Sequence, residues 1–129
     1  MKLEHVALNV KDPVGMAAWY VQHLGFRLVK RITGPPYAHF IVDSAGAVML
    51  EIYLNPPGQV PAYAERDPLV FHLAFIATDA KADEARFLAA GATLAYEEPK
   101  EDGSMLIMMR DPWGIPFQLC QRAQPLLGK

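Results

Sequence analysis

Apolar and polar positions alternate with period two in several short stretches of the chain. The first of them, His5 to Val10, sets Val6, Leu8 and Val10 against His5, Ala7 and Asn9. Residues two apart share one face of a strand, so this run predicts a half-buried strand. Asp12 and Pro13 then supply an N-cap and a preset first helical turn, and Met16, Trp19, Tyr20 and Leu24 follow at helical spacing until Gly25 closes the helix. Phe26 to Ile32, Tyr37 to Val42 and Val48 to Leu54 read as three further strands, parted by the turn-forming clusters Gly34-Pro35-Pro36 and Asp43-Ser44-Ala45-Gly46. The same order returns in the second half. Phe71 to Ala77 is a strand, Asp79 caps a helix that Gly91 ends, and Ala92 to Tyr96, Met105 to Arg110 and Ile115 to Gln121 are strands. Between the halves, Asn55 to Pro68 carries prolines at 56, 57, 61 and 68 and reads as a linker and candidate lid.

The halves also superimpose residue on residue. Leu3 to Leu8 matches Val70 to Phe75 with histidine on histidine and alanine on alanine, and Leu50-Glu51-Ile52 matches Phe117-Gln118-Leu119, both at an offset of 67 residues. Internal duplication of this kind fixes an architecture before any one element is assigned. It predicts an α+β fold in which two tandem β-α-β-β-β repeats form a curved, incompletely closed eight-stranded mixed sheet around one pocket. Residues 1–129 make a single domain, with repeat one at about 1–55, the linker at about 55–68 and repeat two at about 69–122.

The duplication singles out four polar residues. His5, Glu51, His72 and Gln118 each lie opposite an apolar stripe of their own strand, and sheets curling toward one concavity would bring two from each half together. A lone strand histidine, such as His39, is usually a satisfied core or surface residue. The symmetric placing of His5 and His72, each matched to a carboxylate or amide late in its own half, is not something packing requires. Two imidazoles, a carboxylate and an amide oxygen form a nitrogen and oxygen donor set suited to one divalent ion of zinc, nickel, cobalt, manganese or iron, whereas magnesium or calcium prefers more oxygen.

Composition narrows the function classes. With 52% hydrophobic and 20% charged residues in 129, the chain can bury one core. A net charge of −2 gives no footprint for nucleic acid, and Arg27, Lys30 and Arg31 read as a solvated face. No stretch is long enough to span a membrane, the N-terminal MKLEHVALNV lacks a signal-peptide apolar run, and the single Cys120 gives no disulfide framework, so the expected location is cytoplasmic.

Taken together, His5-Val-Ala-Leu-Asn-Val, Trp19-Tyr20 with Leu24-Gly25-Phe26, Glu51, His72-Leu-Ala-Phe, and Asp111-Pro112-Trp113-Gly114 leading into Phe117-Gln118-Leu119 resemble the vicinal oxygen chelate superfamily. That group includes glyoxalase I, methylmalonyl-CoA epimerase, extradiol dioxygenases, and fosfomycin- and bleomycin-resistance proteins. The resemblance covers nearly the whole chain. It implies that His5, Glu51, His72 and Gln118 are metal ligands and that the protein is a homodimer. Gln118 departs from the glutamate usual at the last position; it can donate an oxygen ligand but cannot act as a base. The implied activity is a glyoxalase-type, metal-dependent lyase or isomerase acting on a small carbonyl or vicinal-oxygen substrate through a metal-stabilised enediolate, with Glu51 as the single base. His39, Tyr53, Met105 and Trp113 are candidate substrate contacts, and Tyr37, Tyr63 and Met109 extend the same aromatic and methionine lining. A non-catalytic small-molecule binding protein of the bleomycin-resistance kind is the alternative. Ferrous dioxygenase chemistry ranks below it, because the carboxylate here lies in the first half and not the second.

Overall fold

In the computed structural model, which describes residues 1–128, each half of the sequence builds its own four-stranded sheet with one α-helix against it. The chain divides into two compact units, Met1–Pro61 and Ala62–Lys129, and the division falls inside the linker stretch.

In the first unit the elements run β1 (His5–Asn9), α1 (Pro13–Leu24), β2 (Arg27–Arg31), β3 (His39–Val42) and β4 (Met49–Tyr53). Asp12 caps α1 by accepting from the Gly15 amide at 2.9 Å, and Gly25, at φ 70°, ends it by returning its amide to the Tyr20 carbonyl. The sheet order is β1-β4-β3-β2, with β1 parallel to β4 and the other pairs antiparallel. Met16, Trp19 and Tyr20 of α1 are buried, as are Leu8, Ile41, Leu50 and Ile52 of the sheet. Each such side chain stabilises the fold by roughly 1.5–3 kcal/mol relative to exposure.

The second unit repeats the plan with β5 (Leu73–Ile76), α2 (Ala80–Ala89), β6 (Thr93–Pro99), β7 (Met105–Arg110) and β8 (Pro116–Gln121), in the order β5-β8-β7-β6. Asp79 accepts from the Ala82 amide, and the Gln121 side chain reaches from β8 to accept from the Ala80 amide, so the first turn of α2 is tied to the sheet. Phe87 of α2 meets Phe117 edge-on at 5.2 Å, and both are buried.

Several boundaries differ from the sequence reading for local reasons. Strand β3 begins at His39 and not at Tyr37, because Tyr37 sits at φ 58° in a turn closed by its amide on the Gly34 carbonyl. Strand β5 begins at Leu73, because Asp67 to His72 is taken up in turn hydrogen bonds. Strand β6 runs on to Pro99, since Glu97, Glu98 and Pro99 pair with Ile107, Leu106 and Met105. The linker holds two 3-10 turns, Pro57–Gln59 and Tyr63–Glu65. Among the described residues no helix is long and apolar enough to cross a membrane.

Candidate functional site

Residues paired across neighbouring strands project from the same face, so the register sorts the side chains. In the first unit one row reads Ala7, Glu51, Phe40, Lys30 from β1 to β2, flanked by His5 beside Met49 and Asn9 beside Tyr53. In the second unit the equivalent row reads Ala74, Gln118, Met108, Tyr96. Glu51 and Gln118 thus occupy the same place in their sheets. The symmetry extends to irregularities: the pairing slips between Leu28 and Lys30 in β2 and again between Leu94 and Tyr96 in β6.

His5 lies two residues before Ala7 and reaches across to β4, where its Nε2 stands 3.2 Å from Glu51 Oε2. Its Nδ1 lies 3.0 Å from Glu4 Oε1, and its ring meets Phe40 edge-on at 6.0 Å. In the tautomer whose Nδ1–H bonds Glu4, the ring is held in place and the Nε2 lone pair and Glu51 Oε2 converge on one point.

In the second unit the ring of His72 is held differently. Its Nδ1 donates to the Pro68 carbonyl at 2.9 Å. A carbonyl only accepts, so Nδ1 carries the proton and Nε2 the lone pair. Gln118 is 8% exposed, and its Oε1 accepts from the Cys120 thiol at 3.3 Å. Burial pushes the Cys120 thiol above its usual range, which keeps it a donor at neutral pH.

Four residues were named as substrate contacts, and the structure divides them. Tyr53 shares the face of Glu51 and is half-buried. Trp113 lies in the β7–β8 turn, its amide bonded to Asp111 Oδ1. His39 does not share that face: it is paired with Ile52, which is paired with Leu8, so it belongs to the buried row, and its Nδ1 donates to the Tyr37 carbonyl at 2.6 Å. Met105 is likewise on the opposite face from Gln118, with Ile107 and Met109. Both placements have one cause, the parity of the strand relative to its partner, which the intervening turn sets. Counting back from Gln118 through the pairing of Arg110 with Pro116 reaches Met108, and then Tyr96, which are the side chains beside Gln118. Phe40 and Lys30 are their counterparts beside Glu51.

Among the described residues no three His, Cys, Asp or Glu side chains stand together as a metal-holding group; on the face of Glu51, His5 and Glu51 form a close pair. That pair fits a divalent ion in kind and in spacing. Two ligands each about 2.1 Å from one ion stand roughly 3.0–3.4 Å apart. An Nδ1–H anchored on an oxygen acceptor, as in His5 and His72, is how ligating histidines are ordinarily oriented.

The family model described as the Glyoxalase/Bleomycin resistance protein/Dioxygenase superfamily matches residues 2–119. Among solved structures, the fold is similar to that of an antibiotic binding protein from Streptomyces sp. CB03234, with a TM-score of 0.71, 21% identity, and coverage of 95% of this chain and 97% of that one. It is also similar to lactoylglutathione lyase from Agrobacterium tumefaciens, with a TM-score of 0.65, 21% identity, and coverage of 92% of each chain. A superfamily member from Sphaerobacter thermophilus gives a TM-score of 0.73 at 18% identity, covering 95% of this chain and 98% of that one. Among curated proteins none matches the sequence.

Proposed function

Because the chain belongs to the glyoxalase/bleomycin resistance protein/dioxygenase superfamily, we propose that it is a divalent-metal-dependent lyase or isomerase acting on a small carbonyl or vicinal-oxygen substrate. His5 Nε2, Glu51, His72 Nε2 and the Gln118 amide oxygen are the ligands in this reading. The observation that carries it is the His5 and Glu51 pair, 3.2 Å apart on one sheet face with the imidazole anchored from behind.

When bound, zinc, nickel, cobalt, manganese or iron would supply Lewis-acid polarisation of a substrate oxygen, which acidifies the adjacent C–H. Glu51 takes that proton and returns it, since Gln118, at the equivalent place in the other sheet, has no basic oxygen. The proton therefore leaves and returns at a single carboxylate. Tyr53 and Phe40, on the same face as Glu51, give the substrate an aromatic boundary there.

The test is solvent deuterium exchange at the carbon next to the carbonyl in a panel of small α-hydroxycarbonyl compounds, followed by NMR with metal-loaded protein. Glu51→Gln with metal still bound should lower exchange by about 10²-fold or more. Undiminished exchange in that variant would remove Glu51 as base.

A second reading, a small-molecule binding protein without chemistry, is favoured by the side chains around Gln118. Leu106, Met108 and Cys120 make that face apolar, with Tyr96 at its edge. Ligand affinity that is unchanged by adding or chelating metal would select it.

Assembly as a homodimer belongs to the same proposal. Strands β1 and β5 are sheet edges, and apolar side chains on or before them are exposed: Leu3 and Val6 in one unit, Leu69, Val70 and Ile76 in the other, with Ile76 at 93%. Light scattering at micromolar concentration should return twice the 14.3 kDa chain mass.

A further inference from the structure

The Asp111-Pro112-Trp113-Gly114 stretch was singled out by its sequence, yet the proposed chemistry gives it no role. In the structure it is a tight turn. Asp111 Oδ1 accepts from the amides of Trp113 and Ile115, Asp111 and Ile115 are paired through their backbones, and Gly114 takes φ 85°. The segment that precedes His72 is seated against this turn. A Cβ added to Gly114 would lie 2.6 Å from Ala64 Cβ and 3.0 Å from Ala64 Cα, so the two backbones approach too closely for any side chain there.

Arg110, the last residue of β7, fastens the same segment. Its Nη1 donates to the carbonyls of Tyr63 at 2.8 Å and Gly114 at 3.1 Å, and its Nη2 donates to the carbonyl of Arg66 at 2.6 Å. Tyr63 and Arg66 are the start and the C-cap of the 3-10 turn, whose carbonyls collect partial negative charge, and the planar guanidinium fork spans both. Two residues beyond Arg66 comes the Pro68 carbonyl that receives the Nδ1 proton of His72. Between them, Asp67 Oδ1 accepts from the Leu69 amide and the Asp67 carbonyl from the Val70 amide, so there is no slack in the path.

We propose that Arg110 and the Asp111–Gly114 turn form a dock that fixes residues 62–68 as a strap, and that Arg110 is thereby a positioning residue setting the tautomer and direction of the His72 ring. The second half of the linker is in this view a clamped support and not a lid. The device belongs to the second unit alone: the residue equivalent to Arg110 by strand register is Val42, which pairs with Met49, and His5 is backed by the exposed carboxylate of Glu4 in place of a clamped carbonyl. The functional meaning of the strap rests on the reading of His72 as a ligand, while its mechanical part does not.

The experiment is a long-range 15N–1H NMR spectrum of the histidine rings in metal-free protein, at a pH where His72 is neutral. Wild type should show His72 wholly in the Nδ1–H form. Arg110→Ala should populate the Nε2–H form that unconstrained histidine favours, with the rings of His5 and His39 unchanged. Arg110→Lys, which keeps the cation but puts its donors on one nitrogen in place of the planar fork, should fall between them and serves as the test if Arg110→Ala does not fold. Zinc affinity in the same variants should drop by about tenfold. A folded Arg110 variant that keeps His72 fully in the Nδ1–H form overturns the inference. If the tautomer shifts but neither wild type nor variant binds metal, the positioning stands and the ligand role of His72 falls.

Discussion

Gly114→Ala tests the seating of the strap on the β7–β8 turn, and its cost divides into two parts. The first is conformational. Gly114 is at φ 85°, where a residue with a Cβ is strained by about 1–2 kcal/mol. The second is steric. The new methyl would meet Ala64 Cβ at 2.6 Å, Cα at 3.0 Å and N at 3.1 Å, and forcing a methyl into packed surroundings costs about 1–3 kcal/mol more. Gly103 isolates the first part, because it has nearly the same φ, 88°, with nothing within 4 Å of its added Cβ. For 129 residues, 1 kcal/mol corresponds to about 4 °C in Tm. Gly103→Ala should therefore lower Tm by about 4–8 °C and Gly114→Ala by about 8–20 °C. Adding Ala64→Gly to Gly114→Ala removes the nearest contact but not those to Cα and N, so a double-mutant cycle followed by circular dichroism should show a favourable coupling and partial recovery. Equal losses for the two glycine variants, or zero coupling with Ala64→Gly, would refute the close approach.

Phe87→Ala removes a fully buried ring from between α2 and Phe117 and should cost about 3–5 kcal/mol by urea denaturation. Asp79→Ala, which takes away the α2 cap to the Ala82 amide, should cost about 1 kcal/mol in the same assay, with Asn at that position retaining most of it. Lys81 donates to both Glu97 and Glu84, and its hydrogen bond holds Glu97 below the usual carboxylate range. A carboxylate with a lowered folded pKa stabilises above its ordinary range and loses that contribution as pH falls through the folded value. The Tm of Lys81→Met should thus lie below wild type at neutral pH and converge with it in strong acid; a gap that stays constant with pH would contradict this.

The repeat was legible because it is written in side chains whose positions packing constrains. Helix caps at Asp12, Asp79 and Gly25 and the equivalence of Glu51 with Gln118 follow from local chemistry and symmetry. What escaped depends on backbone alone. The parity that turns His39 and Met105 away from Glu51 and Gln118 is fixed by turn geometry, by the positive φ of Tyr37 and by the register of Arg110 on Pro116. The slips in β2 and β6 leave no mark in composition. The sequence reads the strap as part of a proline-rich linker and candidate lid because the bonds that Arg110 makes to it end on main-chain carbonyls, which every residue has.

The central claim is that His5, Glu51, His72 and Gln118 bind a divalent ion. Elemental analysis of wild-type protein, after exposure to zinc, nickel, cobalt, manganese or iron(II) and removal of the excess, addresses it most directly. About one ion should be retained per chain, and substantially less in His5→Ala, Glu51→Ala and His72→Ala variants that still melt cooperatively. No stoichiometric ion in the wild type, or equal retention in all three variants, would contradict it.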